Sequence, residues 1–297
     1  MKKILYAAAL LSASAAYAAP ISIATDYGTT DLFNALGASN LNVTSTYQHG
    51  LGAGAVSSAD DLIGSVLTFS DTGFGTFGQL EPLLGTATTA GYGDDWQLDF
   101  SYTLSGLATF QDGILPAGSC PPAPAVLCAD GTLGPAGNNQ VFNSGDGINP
   151  IFTYGLFEIY YFDKNTLTST KVLELQLTYA ETSIFNPNVI LHAKVNYAWY
   201  GGGNPLVEGF FIDSVSGMSF YDLSQLTPPP PIAFRADFNV DPSYIPTCVD
   251  IACETLSRTT DINVTAIFNV PEPASVALLG LGLLGLGATA RKRKAQK

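Results

Sequence analysis

Apolar and polar residues alternate along much of this chain, and this period of two restricts the fold more than any other feature of the sequence. From Trp96 to Leu104 every second residue is apolar, and the residues between are Gln, Asp, Ser and Thr. Successive side chains of a strand point to opposite faces, so this segment is predicted to be a strand with one buried face. The pattern recurs at Lys171 to Tyr179, Val189 to Trp199, Ile232 to Val240 and Ile262 to Val270, which places Tyr179 and Trp199 among the inward-facing residues.

The segment from Ile151 to Phe162 differs because it is apolar on both faces, which is typical of a central strand covered on both sides. The turn-forming residues Asp163, Lys164 and Asn165 follow it, so a hairpin with the next alternating segment is predicted. Helical signals are few, for example a turn or two at Asp31 to Leu36. The predicted fold class is therefore all-β, with an antiparallel β-sandwich as the body.

The first 18 residues have the three parts of a secretory signal peptide. Two lysines precede an apolar stretch from Ile4 to Leu11, and Ala16 and Ala18 form an A-x-A cleavage site. The apolar stretch is too short to span a bilayer stably. Residues 1–18 are therefore predicted to be removed by signal peptidase, which leaves residues 19–269 as the exported body.

Residues 270–297 consist of three consecutive parts. Pro271, Glu272 and Pro273 form a stiff, extended segment, because proline fits neither a helix interior nor a sheet ladder. Residues 274–290 carry no charge and are predicted to be a transmembrane helix, roughly 25 Å long at about 1.5 Å per residue. A basic cluster that stays in the cytoplasm follows, formed by Arg291, Lys292, Arg293 and Lys294.

With basic residues at both ends, the chain is predicted to insert as a loop, with both ends inside and the body outside. The tail resembles the PEP-CTERM sorting domain in its PEP tripeptide, its Gly/Leu-rich span and its basic end. The resemblance implies recognition at Pro271, Glu272 and Pro273 by a membrane exosortase, in bacteria that make exopolysaccharide. It also implies a transient stay in the inner membrane, followed by the cell surface or the extracellular space. An ordinary anchor that is never cleaved is the alternative.

The charge of the body is strongly acidic. Of the 12 Lys and Arg residues, two lie in the signal peptide and five in the tail, which leaves five in the body. Of the 25 Asp and Glu residues only Glu272 lies in the tail, so 24 belong to the body and its net charge is −19. Phosphate contacts need clustered Lys and Arg, so no nucleic-acid partner is expected.

Four cysteines lie in the body, and an even number in an exported chain indicates disulfides. The close sequence pairs favour Cys120–Cys128 and Cys248–Cys253, although four cysteines allow three connectivities. Metal binding by these cysteines is the weaker interpretation, because there is no C-x-x-C spacing and neither histidine is near a cysteine in sequence.

Residues that carry chemistry are scarce. The two histidines, His49 and His192, are isolated, and His192 lies on the polar side of its segment, so no catalytic triad and no zinc site are predicted. Two adjacent carboxylate pairs, Asp60-Asp61 and Asp94-Asp95, would point to opposite faces of a strand, so a glycoside hydrolase is only an alternative. No cofactor is predicted apart from calcium, whose candidate ligands lie in one oxygen-rich loop: Asp130, Asn138, Asn139, Asn143 and Asp146.

Aromatic residues offer the remaining candidate surface. Exposed rings can stack on sugars, and Tyr200, which precedes three glycines, is predicted to be exposed, whereas most other rings are assigned to the core. The segment FEIYYFDKNTLTSTKVLELQL and the run ADFNVDP resemble flocculation-associated PEP-CTERM proteins over scattered residues. The chain is therefore expected to be a non-enzymatic protein of the biofilm or floc matrix in contact with exopolysaccharide. A calcium-dependent polysaccharide-binding module is an alternative.

Overall fold

The computed structural model describes residues 20–51, 62, 64–82, 90–111, 147–183, 186–200, 202–240, 247–249 and 254–269. These residues form thirteen strands and two short helices, with a 3₁₀ turn at Tyr197–Trp199. The helices are α1 (Pro205–Gly209) and α2 (Phe220–Ser224). The strands are β1 (Ile21–Thr25), β2 (Gly28–Thr29), β3 (Phe33–Gln48), β4 (Val66–Phe77), β5 (Gln79–Pro82), β6 (Trp96–Gln111), β7 (Gly147–Asp163), β8 (Thr168–Ser183), β9 (Asn186–Val195), β10 (Phe211–Asp213), β11 (Ala233–Val240), β12 (Thr247–Cys248) and β13 (Thr255–Asn269).

Eight of these strands form a closed ring. In the order β3, β4, β6, β7, β8, β9, β11 and β13, each strand pairs antiparallel with the next, and β13 returns to pair with β3. The closing pair is long, since residues 35–48 of β3 match residues 255–267 of β13. Neither strand is left with an unpaired row of backbone groups along this seam.

The prediction of an antiparallel all-β fold is confirmed, but the arrangement differs from the two separate sheets of a sandwich. One continuous sheet contains all of these strands, because the first long strand and the last one are hydrogen-bonded to each other. The remaining strands extend the ring at its margins: β5 pairs with β3, β12 with β13, and β1 with β2, β3 and β10.

The alternating segments point their apolar residues into the ring, as predicted. Trp96, Leu98, Phe100, Tyr102 and Leu104 of β6 are all buried, and Phe234, Ala236 and Phe238 of β11 join them. The buried residues form one large cluster and one small cluster. The small cluster, at the end of the ring opposite Trp96, consists of Tyr47, Leu62, Leu67, Phe69, Ala108, Phe110 and Leu256.

A bulge and the early end of a strand explain why Tyr179 and Trp199 do not point inward as predicted. The β8–β9 register shifts between Leu177 and Tyr179, so Tyr179 points outward and is 53% exposed instead of inward. Likewise, β9 ends at Val195, so Trp199 lies in the following 3₁₀ turn and only packs against the core from outside.

Two further expectations from the sequence are corrected. The predicted double-sided strand, β7, buries Phe157, Ile159 and Tyr161, whereas its outward residues Ile151 and Tyr154 are exposed, because nothing among the described residues covers that part of the sheet. The predicted helical turn at Asp31 to Leu36 is instead the start of β3, whose pairing with β5 and β13 outweighs a weak local preference.

One end of the ring is capped by β1, β10 and the two helices. Phe211 and Phe220 pack against Phe268, the last large residue of β13, with ring centroids 5.6 Å apart in both pairs. Helix α2 begins with a capping box, in which Ser219 and Asp222 bond each other's backbone N–H groups.

The first and last strands of the body meet at this capped end. Ile21 of β1 pairs with Phe33, and two register steps beyond the pair Ala35–Ile267 the same Phe33 comes level with Asn269. On its other side Phe33 pairs with Pro82 of β5, so Ile21 and the end of β13 lie on the same side of β3 and close together.

Candidate functional site

The outward side chains of β7, β8, β9 and β11 form a surface that we call the outer face. It carries three of the five basic residues of the body: Lys171, Lys194 and Arg235. His192 lies among them, directly opposite Arg235 in the β9–β11 register. In so acidic a body, this concentration of basic and aromatic side chains distinguishes the outer face from the other described surfaces.

The first group on the outer face is the lysine cluster, formed by Glu158, Lys171 and Glu174. Glu158 and Glu174 are directly opposed in the β7–β8 hairpin, and two like charges in that position repel each other. A bulge between Ile159 and Tyr160 brings Lys171 beside them, where its Nζ lies 2.9 Å from Glu158 Oε1 and 2.7 Å from Glu174 Oε2. The lysine thus neutralises the pair.

Neutral donors complete this cluster. Glu158 accepts hydrogen bonds from Tyr160 Oη at 3.0 Å and Ser101 Oγ at 3.3 Å, and Asn196 Nδ2 donates to Glu174 Oε1 at 2.7 Å. The ammonium of Lys171 also lies 4.8 Å from the centre of the Trp199 ring, within reach of a cation–π interaction. Every charged group of the cluster therefore has close partners.

The pKa values follow from these contacts. Burial alone would raise the pKa of Glu158, but hydrogen bonds from Lys171 and Tyr160 outweigh it and lower the pKa below its usual value. Burial alone would lower the pKa of Lys171, but its bonds to Glu174 and Glu158 raise it instead. Both shifts favour the charged forms, so Glu158 is a carboxylate and Lys171 an ammonium group at neutral pH.

The second group on the outer face is the Tyr179–His192 pair. The two rings are stacked with centroids 4.0 Å apart and planes within 8° of parallel. Glu181 Oε1 lies 2.9 Å from His192 Nε2, and on the neighbouring strand Arg235 Nη2 lies 3.4 Å from Asp237 Oδ2. An exposed aromatic surface is thus bordered by charged groups on two strands.

A third polar group, the inner cluster, lies inside the ring between the two hydrophobic clusters. It is formed by Ser45, Asp71, Tyr102 and Arg258. Asp71 accepts hydrogen bonds from Ser45 Oγ at 3.0 Å and from Tyr102 Oη at 3.3 Å. A Cβ at Gly73 would lie 2.5 Å from the Tyr102 ring, so glycine is what allows that ring to cross β4 and reach Asp71.

The charges of the inner cluster are poorly compensated. Burial raises the pKa of Asp71 to about 6, although its two hydrogen bonds and the Arg258 charge oppose the rise. Arg258 and Asp71 form none of the described ion pairs, and the buried Nε of Arg258 has no hydrogen-bond partner among the described residues. The inner cluster therefore resembles the lysine cluster in composition but not in contacts.

Several predicted site residues lie outside the described residues. They are Ala16, Ala18, Cys120, Cys128, Cys253, Pro271, Glu272, Pro273, Arg291, Lys292, Arg293 and Lys294, together with Asp60, Asp61 and the calcium candidates Asp130, Asn138, Asn139, Asn143 and Asp146. Cys248, in β12, belongs to a disulfide, but its partner stays a prediction. The predicted transmembrane segment 274–290 also lies outside, and no helix among the described residues is long and apolar enough to cross a membrane.

Asp94, Asp95 and Tyr200 are further candidates that lie among the described residues. Asp94 and Asp95 lie in the turn before β6, where Asp95 Oδ1 accepts a hydrogen bond from Asn165 at 3.3 Å. Among the described residues, no three His, Cys, Asp or Glu side chains are grouped so that they could hold a metal ion. Tyr200, predicted to be exposed, is only 9% exposed, because it packs against Trp199 and Tyr221.

Sequence reasoning missed the lysine cluster and the Tyr179–His192 pair. An unbroken register from the turn pair Asp163–Thr168 would place Glu158 opposite Leu173, so the opposition of Glu158 and Glu174 depends on the bulge between Ile159 and Tyr160. The bulges that bring Lys171 and Tyr179 to the outer face leave no signal in the sequence.

Comparison with known proteins identifies the tail and not the body. The family model of the PEP-CTERM protein-sorting motif matches residues 269–294, which include the PEP tripeptide and the basic cluster. Searches of curated proteins and of solved structures found no match. The tail therefore carries a PEP-CTERM protein-sorting motif, the signal of proteins that an exosortase processes and that are exported to the cell surface.

Proposed function

We propose that the exported body is a non-enzymatic protein of the exopolysaccharide matrix and contacts polysaccharide through the outer face. The observation that carries the proposal is the Tyr179–His192 pair, a half-exposed aromatic surface bordered by charged groups on a rigid sheet. Sugar rings present an apolar C–H face that can stack on an aromatic ring, and hydroxyl groups that bind carboxylates and guanidinium groups.

The export route supports the same proposal. An exosortase substrate reaches the cell surface, where it can meet extracellular polymer. A hydrolase is less well supported, because Glu158 and Glu174, the directly opposed carboxylates of the described strands, are bridged by Lys171. Nucleic acid remains an unsuitable partner for a body with 24 acidic residues and five basic ones.

The test is co-sedimentation of the processed protein with exopolysaccharide from the same host. The protein is recovered from the cell surface, mixed with increasing polymer, and the fraction that sediments is measured with calcium and with a chelator. We expect saturable co-sedimentation. A requirement for calcium would indicate that the oxygen-rich loop with the predicted calcium ligands, from Asp130 to Asp146, takes part in binding. If no protein sediments under either condition, the polysaccharide role is wrong, and self-association in the matrix is the better account.

A further inference from the structure

One half of the ring carries little charge on its outside. The outer face occupies β7, β8, β9 and β11, and the other four strands are β13, β3, β4 and β6. Among the described outward residues of these four strands, only Asp99 and Asp261 are charged. Both accept hydrogen bonds from neutral side chains, Asp99 from Thr76 and Gln97, and Asp261 from Asn42. This half is therefore close to neutral, although the body as a whole is strongly acidic.

Hydroxyl groups are concentrated on this neutral half. Strand pairing aligns four threonines in one row across the four strands: Thr259, Thr44, Thr72 and Thr103. A second row, two residues farther from the capped end, consists of Ser257, Thr46, Ser70 and Ser105. We call these eight residues the hydroxyl wall. Neighbouring positions lie roughly 5 Å apart across the strands and roughly 7 Å apart along them.

The wall offers both donors and acceptors in fixed positions. Thr44 and Thr259 bond each other with 3.2 Å between their Oγ1 atoms, and Thr46 Oγ1 donates to the carbonyl oxygen of Ser70 at 3.3 Å. A hydroxyl group that donates to the backbone can still accept. The Thr72 and Thr103 side chains have no hydrogen-bond partner among the described residues, so they can also donate. Branched side chains on a paired sheet lose little entropy when a ligand binds.

Two exposed aromatic rings border the hydroxyl wall. Phe74 follows Thr72 on the same face of β4 and is 83% exposed, the highest value among the large apolar residues described. Tyr154 of β7 lies opposite Ser105 and is 47% exposed. An aromatic ring can stack on the apolar face of a sugar, while neighbouring hydroxyl groups bind the hydroxyls at its edge.

Charge and area indicate which partner fits this surface. A polyanion finds no cation on the wall and is repelled by the acidic body, and a polycation is attracted to the acidic surfaces instead. Four strands and three rows, that of Phe74 included, cover roughly 19 Å by 20 Å. This is about half of the roughly 800 Å² that each partner contributes to a standard protein–protein interface, so a second copy of the chain fits poorly. An uncharged polymer needs neither charge nor so large a contact.

Resting on the proposed function, we propose that the hydroxyl wall and Phe74 form a second polysaccharide-binding surface, which takes an uncharged segment of the exopolysaccharide. One sugar ring stacks on Phe74, and the hydroxyl groups of its neighbours bond Thr72 and Thr103. The wall and the outer face occupy different halves of the ring. One molecule can therefore contact two polymer chains at once.

The chain offers test variants and a matched control. Phe74→Ala removes the exposed ring, and the double variant Thr72→Val, Thr103→Val removes two hydroxyl groups while keeping branched side chains that suit a strand. Leu51→Ala is the control, because it removes an apolar side chain that is 60% exposed and lies after β3, at the end of the ring opposite the cap. Thermal unfolding of each processed variant shows whether it is folded before binding is compared.

The experiment measures co-sedimentation with the host exopolysaccharide in two forms, native and after chemical reduction of its uronate carboxyl groups to hydroxymethyl groups. The parent protein should bind the reduced polymer at least as well as the native one. On the reduced polymer we expect Phe74→Ala to weaken binding about tenfold, the size of one good aromatic contact. The double threonine variant should weaken it about fivefold, and Leu51→Ala should stay within about twofold of the parent. Light scattering without polymer reports whether the parent is a monomer.

The outcomes separate the two proposals. Weaker binding in Phe74→Ala and in the double threonine variant, with Leu51→Ala unchanged, supports the wall as a polysaccharide-binding surface. Binding that disappears on reduction of the carboxyl groups, or that neither test variant weakens, overturns it but leaves the matrix function standing. A parent dimer that Phe74→Ala dissociates, with polymer binding unchanged, assigns the wall to a second copy and also overturns it. Absence of binding by the parent protein to either form overturns both proposals.

Discussion

The lysine cluster and the inner cluster use similar groups in opposite ways. On the outer face, one cation lies within 2.9 Å of two carboxylates, and the pKa of Glu158 is lowered. Inside the ring, a carboxylate and a guanidinium are close enough to influence each other but form no described ion pair, and the pKa of Asp71 is raised to about 6. The two clusters therefore differ in the distance between their charged groups and in their burial.

The comparison shows that charge composition alone does not reveal whether a cluster stabilises a fold. In a half-buried ion pair with short contacts and additional donors, the electrostatic attraction offsets the free energy of desolvation. A buried charge without a close partner has no such compensation. We therefore expect the charges of the lysine cluster to stabilise the fold and the charges of the inner cluster to destabilise it. Four variants test this difference.

Lys171→Met should have the largest effect. It leaves Glu158 and Glu174 opposed and without a cation, so the free energy of unfolding should fall by about 2 to 3 kcal/mol at pH 7. Urea denaturation measures it, with Lys194→Met as the control, since Lys194 is an exposed lysine of the same face. Equal losses in the two variants would show that the cluster contributes nothing beyond general charge.

Asp71→Asn should have the next largest effect, and the effect should depend on pH. The pKa of Asp71 is raised from 3.8 to about 6, so its contribution to stability is complete below pH 3.8 and is lost as the pH rises through 6. Relative to the parent, the variant should therefore gain about 1 to 2 kcal/mol between pH 4 and pH 7, allowing for solvent screening.

The matching variant on the outer face is Glu158→Gln, for which the sign reverses. Its lowered pKa stabilises the parent above the unfolded value of 4.5, and this contribution is lost as the pH falls. Denaturation curves that run from pH 7 to well below pH 4.5 measure both differences. Two pH slopes of the same sign would contradict the contrast between the clusters.

Arg258→Met should have the smallest effect, below about 1 kcal/mol at pH 7. The substitution removes the charge that lowers the pKa of Asp71, but it also removes a buried Nε group that has no described partner, and the two changes oppose each other. The same replacement at Lys171 serves as the comparison. A loss at Arg258 as large as that at Lys171 would mean that the guanidinium makes stronger interactions than its contacts indicate.

Much of the fold could be predicted from the sequence, since a period of two reports which face of a strand is buried. The inward residues predicted for Trp96 to Leu104 of β6 and for the described parts of Ile232 to Val240 and Ile262 to Val270 are buried, and the turn predicted after Asp163 is present. Closure of the ring could not be predicted, because it depends on pairing between residues more than 200 positions apart, for which one sequence contains no signal.

The candidate site could be predicted only in part. Strand alternation placed His192 on the polar side correctly, but it placed Tyr179 inside because a single inserted residue reverses the faces beyond it. Tyr200 was expected at the surface because it precedes a run of glycines, whereas the helical cap at that end of the ring covers it. In both cases, tertiary contacts outweighed a correct local pattern.

The two ends of the body, residues 21 and 269, lie on the same side of β3 at the capped end of the ring. The predicted signal peptide and the tail would therefore both leave the body at the capped end of the ring. Only Val270 separates the last strand from the PEP tripeptide, so the processing enzyme must work beside the folded cap. Tyr179 lies in the half of β8 that is farther from this end, so under the proposed function its surface would be accessible to polymer before the tail is cut as well as after.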